Sequence, residues 1–230
     1  MTPIIEAVPE EIYDLELEHS LLEANAKLAG ANRALLDDNG IVAVDVMGAI
    51  GSGKTTLITC LVERLKSDFG VAVFNGDATV ANDTELIARQ GVPVVQIATI
   101  NGCHLDANLV GKALKKIDLD PVDLIFIENI GNLICPAEFP LGSRSRVVVV
   151  SVTEGPWMVK KHPHMFLGAE IVVINKIDLA DVMDVKVEQL IRDVHTLKPD
   201  IRVVPASCKT GQGLDEIAGM LAPAKSHANA

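Results

Sequence analysis

The sequence predicts an α/β protein built on a mainly parallel sheet of about seven strands, with helices on both faces. Three observations lead there. Residues 48–55 read Gly-Ala-Ile-Gly-Ser-Gly-Lys-Thr, the G-x-x-x-x-G-K-[ST] pattern of a phosphate-binding loop. That loop stands between an apolar run of strand length (41–47) and a stretch with apolar residues at helical spacing (Leu57, Leu61, Val62 and Leu65). From Ile41 onward, continuous apolar runs alternate with helical ones, which is the pattern of strands buried on both faces.

Taken in chain order, residues 1–38 form an N-terminal amphipathic helical segment. Leu15, Leu17, Leu21, Leu22, Leu28, Leu35 and Leu36 recur at broadly helical spacing, and Gly40 is a natural stop. The expected role is a helix packed on the main domain, with no chemistry assigned. Residues 39–222 form the nucleotide-binding domain. Its strands are expected at 41–47, 71–75, 93–97, 123–128, 146–152, 171–174 and 201–206. Helices are expected near 55–67, 83–90, 105–116, 157–167, 184–196 and 213–221, and 223–230 reads as a flexible tail. Ligand loops of such a sheet lie at the carboxyl ends of its strands.

The phosphate loop carries its own chemistry. Gly48, Gly51 and Gly53 let backbone N–H groups turn toward a phosphate without Cβ clashes, with Ser52 between them and Thr56 opening the helix. Lys54 reaches the β and γ oxygens and the Thr55 hydroxyl suits Mg²⁺. The base is legible further on, where residues 171–174 run into Asn175-Lys176-Ile177-Asp178. The Asp178 carboxylate can accept from both guanine N1–H and the exocyclic amine, a donor pair that adenine lacks. The Lys176 stem covers the base plane and Asn175 ties the loop to the phosphate loop. Ser207 and Lys209, in Ser-Cys-Lys-Thr, resemble the loop that closes the guanine pocket of GTPases. GTP is therefore favoured over ATP, with GDP as product. A plainer reading, in which Asp178 only caps a helix, loses force beside the phosphate loop and the Ser-x-Lys string.

Acids follow two other buried strands: Asp77 and Asp83 after 71–75, and Glu128 after 123–127, in Glu-Asn-Ile-Gly. Such acids hold Mg²⁺ or its water shell in phosphate-loop enzymes. The Gly131 amide is placed to sense a γ-phosphate. The familiar D-x-x-G appears here as E-x-x-G and is followed by Asn132 rather than Gln, so water positioning falls to Asp77 or Asp83, with capping as the alternative use of Asp83. Hydrolysis is expected to be slow in the absence of an arginine in trans.

Composition narrows the partners. The 230 residues are 49% apolar with only 3% aromatics, so aliphatic side chains must fill the core. A formal charge of −11 disfavours nucleic acid and anionic membranes. No secretory leader and no apolar stretch of about 18 residues is seen, and a cytoplasmic location is expected. The four cysteines then read as thiols rather than disulfides, Cys60 and Cys208 as packing. Cys103-His104 and Cys135-Pro136 fall on two loops at the nucleotide-facing edge, and thiolate with imidazole suits Zn²⁺ or Ni²⁺ better than Mg²⁺. Three ligands leave a four-coordinate shell incomplete, and a two-fold dimer supplying the set twice would complete it. Buried structural thiols are the alternative. His162 and His164 read as solvated loop residues.

On these strings the chain resembles the hydrogenase nickel-incorporation GTPases, the HypB family. The likeness spans roughly residues 20–220. It rests on the phosphate loop, on Cys-His-Leu-Asp-Ala-Asn-Leu-Val (103–110) and on Ile-Glu-Asn-Ile-Gly-Asn-Leu-Ile-Cys-Pro (127–136). Thr-Glu-Gly (153–155), Lys-His-Pro (161–163) and Val-Ile-Asn-Lys-Ile-Asp-Leu (173–179) extend it. The resemblance implies a SIMIBI-type GTPase that forms a GTP-dependent homodimer, with a Zn²⁺ or Ni²⁺ site of Cys103, His104 and Cys135 shared across it. It implies Asp83 as a switch residue near Mg²⁺, and Lys161 reaching the partner subunit's nucleotide. It also implies nickel delivery to a [NiFe]-hydrogenase large-subunit precursor, with a second accessory protein and a metallochaperone. The Cys-rich and His-rich N-terminal tracts of some relatives are missing, since no Cys precedes position 60 and His19 alone precedes the loop. The urease accessory GTPases use Cys-Pro-His where Cys103 and His104 are adjacent, which makes urease the weaker client. A non-catalytic GTP-dependent dimer switch is the remaining alternative.

Overall fold

A computed structural model describes residues 9–76, 81–98 and 104–224, with side chains described from residue 20 and, in the second stretch, from residue 85. Seven parallel strands form one sheet in the order β3-β2-β4-β1-β5-β6-β7. They are β1 (Val42–Gly48), β2 (Val71–Asn75), β3 (Val94–Gln96), β4 (Leu124–Glu128), β5 (Ser145–Ser151), β6 (Ile171–Asn175) and β7 (Arg202–Pro205). The helices are α1 (Pro9–Asp38), α2 (Lys54–Leu65), α3 (Ala81–Ala88), α4 (Ala107–Leu114), α5 (Met158–Lys161), α6 (Pro163–Leu167), α7 (Val187–Leu197) and α8 (Leu214–Leu221). Strands and helices alternate as expected. β4, which ends on Glu128, pairs directly with the phosphate-loop strand β1, Val44 beside Phe126, so the acid and the loop emerge side by side.

The inner strands are buried at nearly every position, which explains their unbroken apolar sequences. One face packs on α2 and α8 through Val44, Val46, Leu57, Leu61 and Ile217. The other carries two clusters. Met47, Val148, Phe166 and Val194 meet under α5 to α7, while Leu36, Ala43, Leu105 and Ile125 meet under α1 and α4. Asp45 projects from β1 between Ala43 and Met47, and so occupies the seam between those two clusters.

Two elements differ from the sequence expectation. Helix 157–167 is two short helices, because Pro163 has no N–H and holds His162 in a non-helical conformation (φ −129°, ψ 54°). The N-terminal helix is one continuous rod that turns three of its leucines outward. Leu21, Leu28 and Leu35 are 55%, 43% and 38% exposed, whereas the buried face is Asn25, Ala29, Asn32 and Leu36. The rod ends where Gly40 adopts φ 68° and Ile41 N–H reaches back to Leu36 O at 2.8 Å.

Candidate functional site

The phosphate loop leaves β1 at Gly48 and enters α2 through Gly53, whose left-handed φ of 96° puts it where a Cβ would lie 2.5 Å from Asn175 Nδ2. Gly51 is also left-handed, at φ 78°. Ser52 is buried and its hydroxyl has no hydrogen-bond partner among the described residues, which fits a loop shaped around an anion. Lys54 is buried, with Nζ 3.3 and 3.2 Å from the Gly48 and Ala49 carbonyls, folded over the cradle it would share with phosphate. Thr55 Oγ1 donates to Glu128 Oε1 at 2.6 Å, and Thr56 lies one position on, at the mouth of the base pocket. A hydroxyl and a carboxylate in that pairing are hard oxygen donors and suit Mg²⁺.

The base pocket is a cavity of about 300 Å³ between Gly53, Thr56, Lys176, Asp178 and Lys209. Asn175 Nδ2 donates to Ser52 O at 3.0 Å, and Lys176 Nζ donates to Gly51 O at 2.6 Å. Both residues of the base loop therefore grip the phosphate loop. Lys176 is left-handed (φ 60°), which lets its own N–H reach Asn175 Oδ1. Ser207 Oγ donates to Asp178 Oδ1 at 2.6 Å and so aims that carboxylate. Cys208 packs against the core of α2 beside Cys60, and burial pushes its thiol up to about 12.

The loop after β4 presses on the phosphate loop. A Cβ on Gly131 would lie 3.0 Å from Ile50 N, so only glycine allows that approach, and Asn132 bridges back to Gly48. Asn129, fully buried, is the hub. Its N–H bonds Val46 O, its Oδ1 accepts from Leu105 N at 3.1 Å and from Ile130 N at 3.0 Å, and its Nδ2 donates to Asp45 Oδ1 at 3.1 Å. Asp45 Oδ2 takes Arg146 Nε at 3.2 Å, and Arg146 Nη1 donates to Ala137 O at 3.0 Å. Burial raises the Asp45 carboxyl above its ordinary range, against the opposing pull of Arg146 and Asn129.

The two chain segments that this hub ties down are those of the thiol and imidazole. His104 is half-buried and stacks on Phe139, with ring centroids 3.8 Å apart, and Phe139 belongs to the loop of Cys135. Burial lowers the His104 pKa, opposed by Asp106, and the neutral ring is the metal-binding form. Cys135 is partly buried at the start of a single 3₁₀ turn. Among the described residues no three His, Cys, Asp or Glu side chains cluster as a metal site. Cys103 and Asp77 lie outside the described residues, as does the side chain of Asp83. Lys161 ends α5, exposed, beside the exposed Trp157 that Lys160 covers at 5.1 Å.

Residues 42–205 match the model of the CobW/HypB/UreG nucleotide-binding domain. A probable hydrogenase maturation factor HypB of Methanocaldococcus jannaschii is 47% identical over 203 residues, covering 88% of this chain and 92% of that protein. The chain belongs to the HypB family. Two solved HypB structures agree with this fold. That from Archaeoglobus fulgidus has a TM-score of 0.82 at 42% identity, covering 86% of this chain and 97% of the other. That from Helicobacter pylori, in complex with nickel, has a TM-score of 0.81 at 32% identity, covering 86% and 93%. The chain thus has a nucleotide-binding domain of the SIMIBI-type GTPase fold expected from its sequence, with a sheet that is parallel throughout where a mainly parallel one was expected. No helix among the described residues is long and apolar enough to cross a membrane.

Sequence reasoning passed over Asn129, Asp45, Arg146 and Glu154. A charged residue inside an otherwise apolar strand (Asp45 in β1) was the available signal for the hub. Glu154 lies at the carboxyl end of β5, accepts from Ser151 N at 2.7 Å, and is held above its usual range by burial, with Lys176 and Lys54 pulling the other way. It is the carboxylate felt by both nucleotide-site lysines.

Proposed function

We propose that this chain is a GTP-hydrolysing maturation factor that delivers nickel to a [NiFe]-hydrogenase large-subunit precursor. It works as a homodimer formed on binding GTP and metal, with Cys103, His104 and Cys135 of each subunit supplying a shared Ni²⁺ or Zn²⁺ site. The observation that carries the reading is the Asn129 hub. One buried amide, adjacent to Glu128, bonds the segment after His104, and through Asp45 and Arg146 it also reaches the segment after Cys135. A change at the γ-phosphate corner is therefore felt by both metal-bearing loops. The nickel complex of the Helicobacter pylori relative and the similarity to hydrogenase maturation factors of Methanocaldococcus jannaschii and Escherichia coli support the cargo and client.

Lys54, Thr55, Glu128 and Asp83 serve Mg·GTP, Asp77 or Asp83 orders the attacking water, and Lys161 reaches the partner subunit's nucleotide. Intrinsic turnover is on the order of 10⁻³ s⁻¹, the range of GTPases that lack an arginine finger. A second accessory protein and a metallochaperone cooperate in the transfer, which takes place in the cytoplasm. Sedimentation with a non-hydrolysable GTP analogue and Ni²⁺ should give a dimer, and GDP with chelator a monomer. Replacing Cys103 and Cys135 by Ala should abolish metal uptake while leaving GTP binding intact. A monomer under GTP analogue and metal together overturns the shared site.

A further inference from the structure

The N-terminal helix has no part in the chemistry described so far, yet it buries two amides that the core does not need for packing. Asn25 and Asn32 are 6% and 7% exposed and lie two turns apart on one face of α1. Asn25 Oδ1 accepts from Ala107 N at 2.8 Å, and its Nδ2 donates to Pro140 O at 2.8 Å. Asn32 Nδ2 donates to Ala107 O at 2.7 Å and to Leu141 O at 3.0 Å. Each asparagine therefore takes one bond from each of two segments far apart in sequence. Ala107 stands three residues after His104, and Pro140 one residue after Phe139, the ring on which His104 stacks.

Two glycines bring α1 close enough to make these bonds. A Cβ on Gly111 of α4 would sit 2.8 Å from Asn32 Oδ1. At Gly142, where φ is +94°, it would sit 2.6 Å from Ala29 O. A buried amide left without partners is costly, so each asparagine and the two loop segments it bonds stabilise one another.

We propose that Asn25 and Asn32 are positioning residues for the thiol–imidazole site: an amide bracket on α1 that sets the separation of the loops bearing His104 and Cys135. The proposal rests on the metal reading given under Proposed function. The Asn129 hub bonds the same two segments at Leu105 and, through Asp45 and Arg146, at Ala137, and the bracket bonds them at Ala107, Pro140 and Leu141.

The test uses the full chain carrying Asn25→Ala and Asn32→Ala together, with Val194→Ala as a control. Val194 is fully buried under α7 and takes no part in the four asparagine bonds, so its truncation destabilises the protein while leaving those bonds in place. Zn²⁺ and Ni²⁺ affinity, GTP affinity and metal-free hydrogen exchange of peptides covering 104–110 are measured well below each melting point. The expected result is a loss of metal affinity of about tenfold or more, the usual consequence of removing an outer-shell partner. Exchange at 104–110 should be faster, GTP affinity unchanged, and the Val194→Ala protein should bind metal like the parent. If the double variant does not fold, Asn25→Ala alone, which keeps both Asn32 bonds, carries the same test. Parent-like metal affinity in the asparagine variants, or an equal loss in Val194→Ala, overturns the bracket. Cys135→Ala separates the two claims. If it binds metal like the parent, the metal reading itself fails; if it loses metal while the asparagine variants keep it, the bracket alone fails.

Discussion

The two halves of the carboxyl edge are built to different degrees of completion. On the nucleotide side, Asn175, Lys176, Asp178 and Ser207 are linked to one another and to the phosphate loop by side-chain hydrogen bonds of 2.6–3.0 Å. On the thiol side, the segments of His104 and Cys135 are tied at their flanks through Leu105, Ala107, Ala137 and Pro140, and among the described residues no three donors cluster as a metal site. One half is tied together within a single chain. The other is an open set of donors, and on the function proposed above a second copy of the chain would complete it.

The comparison breaks most sharply at Asp178. Asp178→Asn removes the acceptor pair for guanine, and two charge-assisted hydrogen bonds at about 1.5–3 kcal/mol each predict a loss of GTP affinity of at least about 100-fold. Xanthosine triphosphate should become the better ligand by calorimetric titration, with metal affinity of the nucleotide-free chain unchanged. Unaltered guanine preference would mean that the pocket is read by other groups.

Asn129→Ala should blur the two halves into one defect. It orphans the buried Leu105 N–H and strips Asp45 of a donor, costing about 2 kcal/mol in urea unfolding. It should also weaken both metal binding and the influence of GTP analogue upon it. A variant that loses stability while the nucleotide effect on metal persists would show that coupling runs by another route.

The smallest effect concerns the thiols. Because burial favours the neutral form of Cys208, its alkylation should rise about tenfold per unit of pH toward 12, with no plateau in the neutral range. Iodoacetamide at pH 8 should therefore be slow to modify Cys208, and Cys135, at the start of a 3₁₀ turn, should react first. Equal rates would place Cys208 in a more open pocket than the one described.

Local patterns carried most of this molecule. The phosphate loop, the N-K-x-D turn and the unbroken apolar strands are contiguous strings whose chemistry needs no knowledge of distant residues, and the sheet followed from them. What escaped was non-local or inverted. Asp45, Asn129 and Arg146 are 84 and 101 residues apart in their pairings, and only the folded sheet brings them together. Leu21, Leu28 and Leu35 of α1 face outward, while Asn25 and Asn32 share the buried face with Ala29 and Leu36, where they supply partners to four backbone groups of the adjoining loops. The break before α6 follows from Pro163, a signal present in the sequence and outweighed by the apolar spacing around it.

Gly53 has a practical reach beyond the phosphates. Its backbone lies so close to Asn175 that the triphosphate grip and the base grip share one wall. Anyone redesigning this scaffold for a different nucleoside could change Asp178 or the Ser207 turn and retain a working cradle. Exchanging the whole base loop, Asn175 included, would collapse the cradle too, so the letter can be rewritten only while the hinge of the page is left alone.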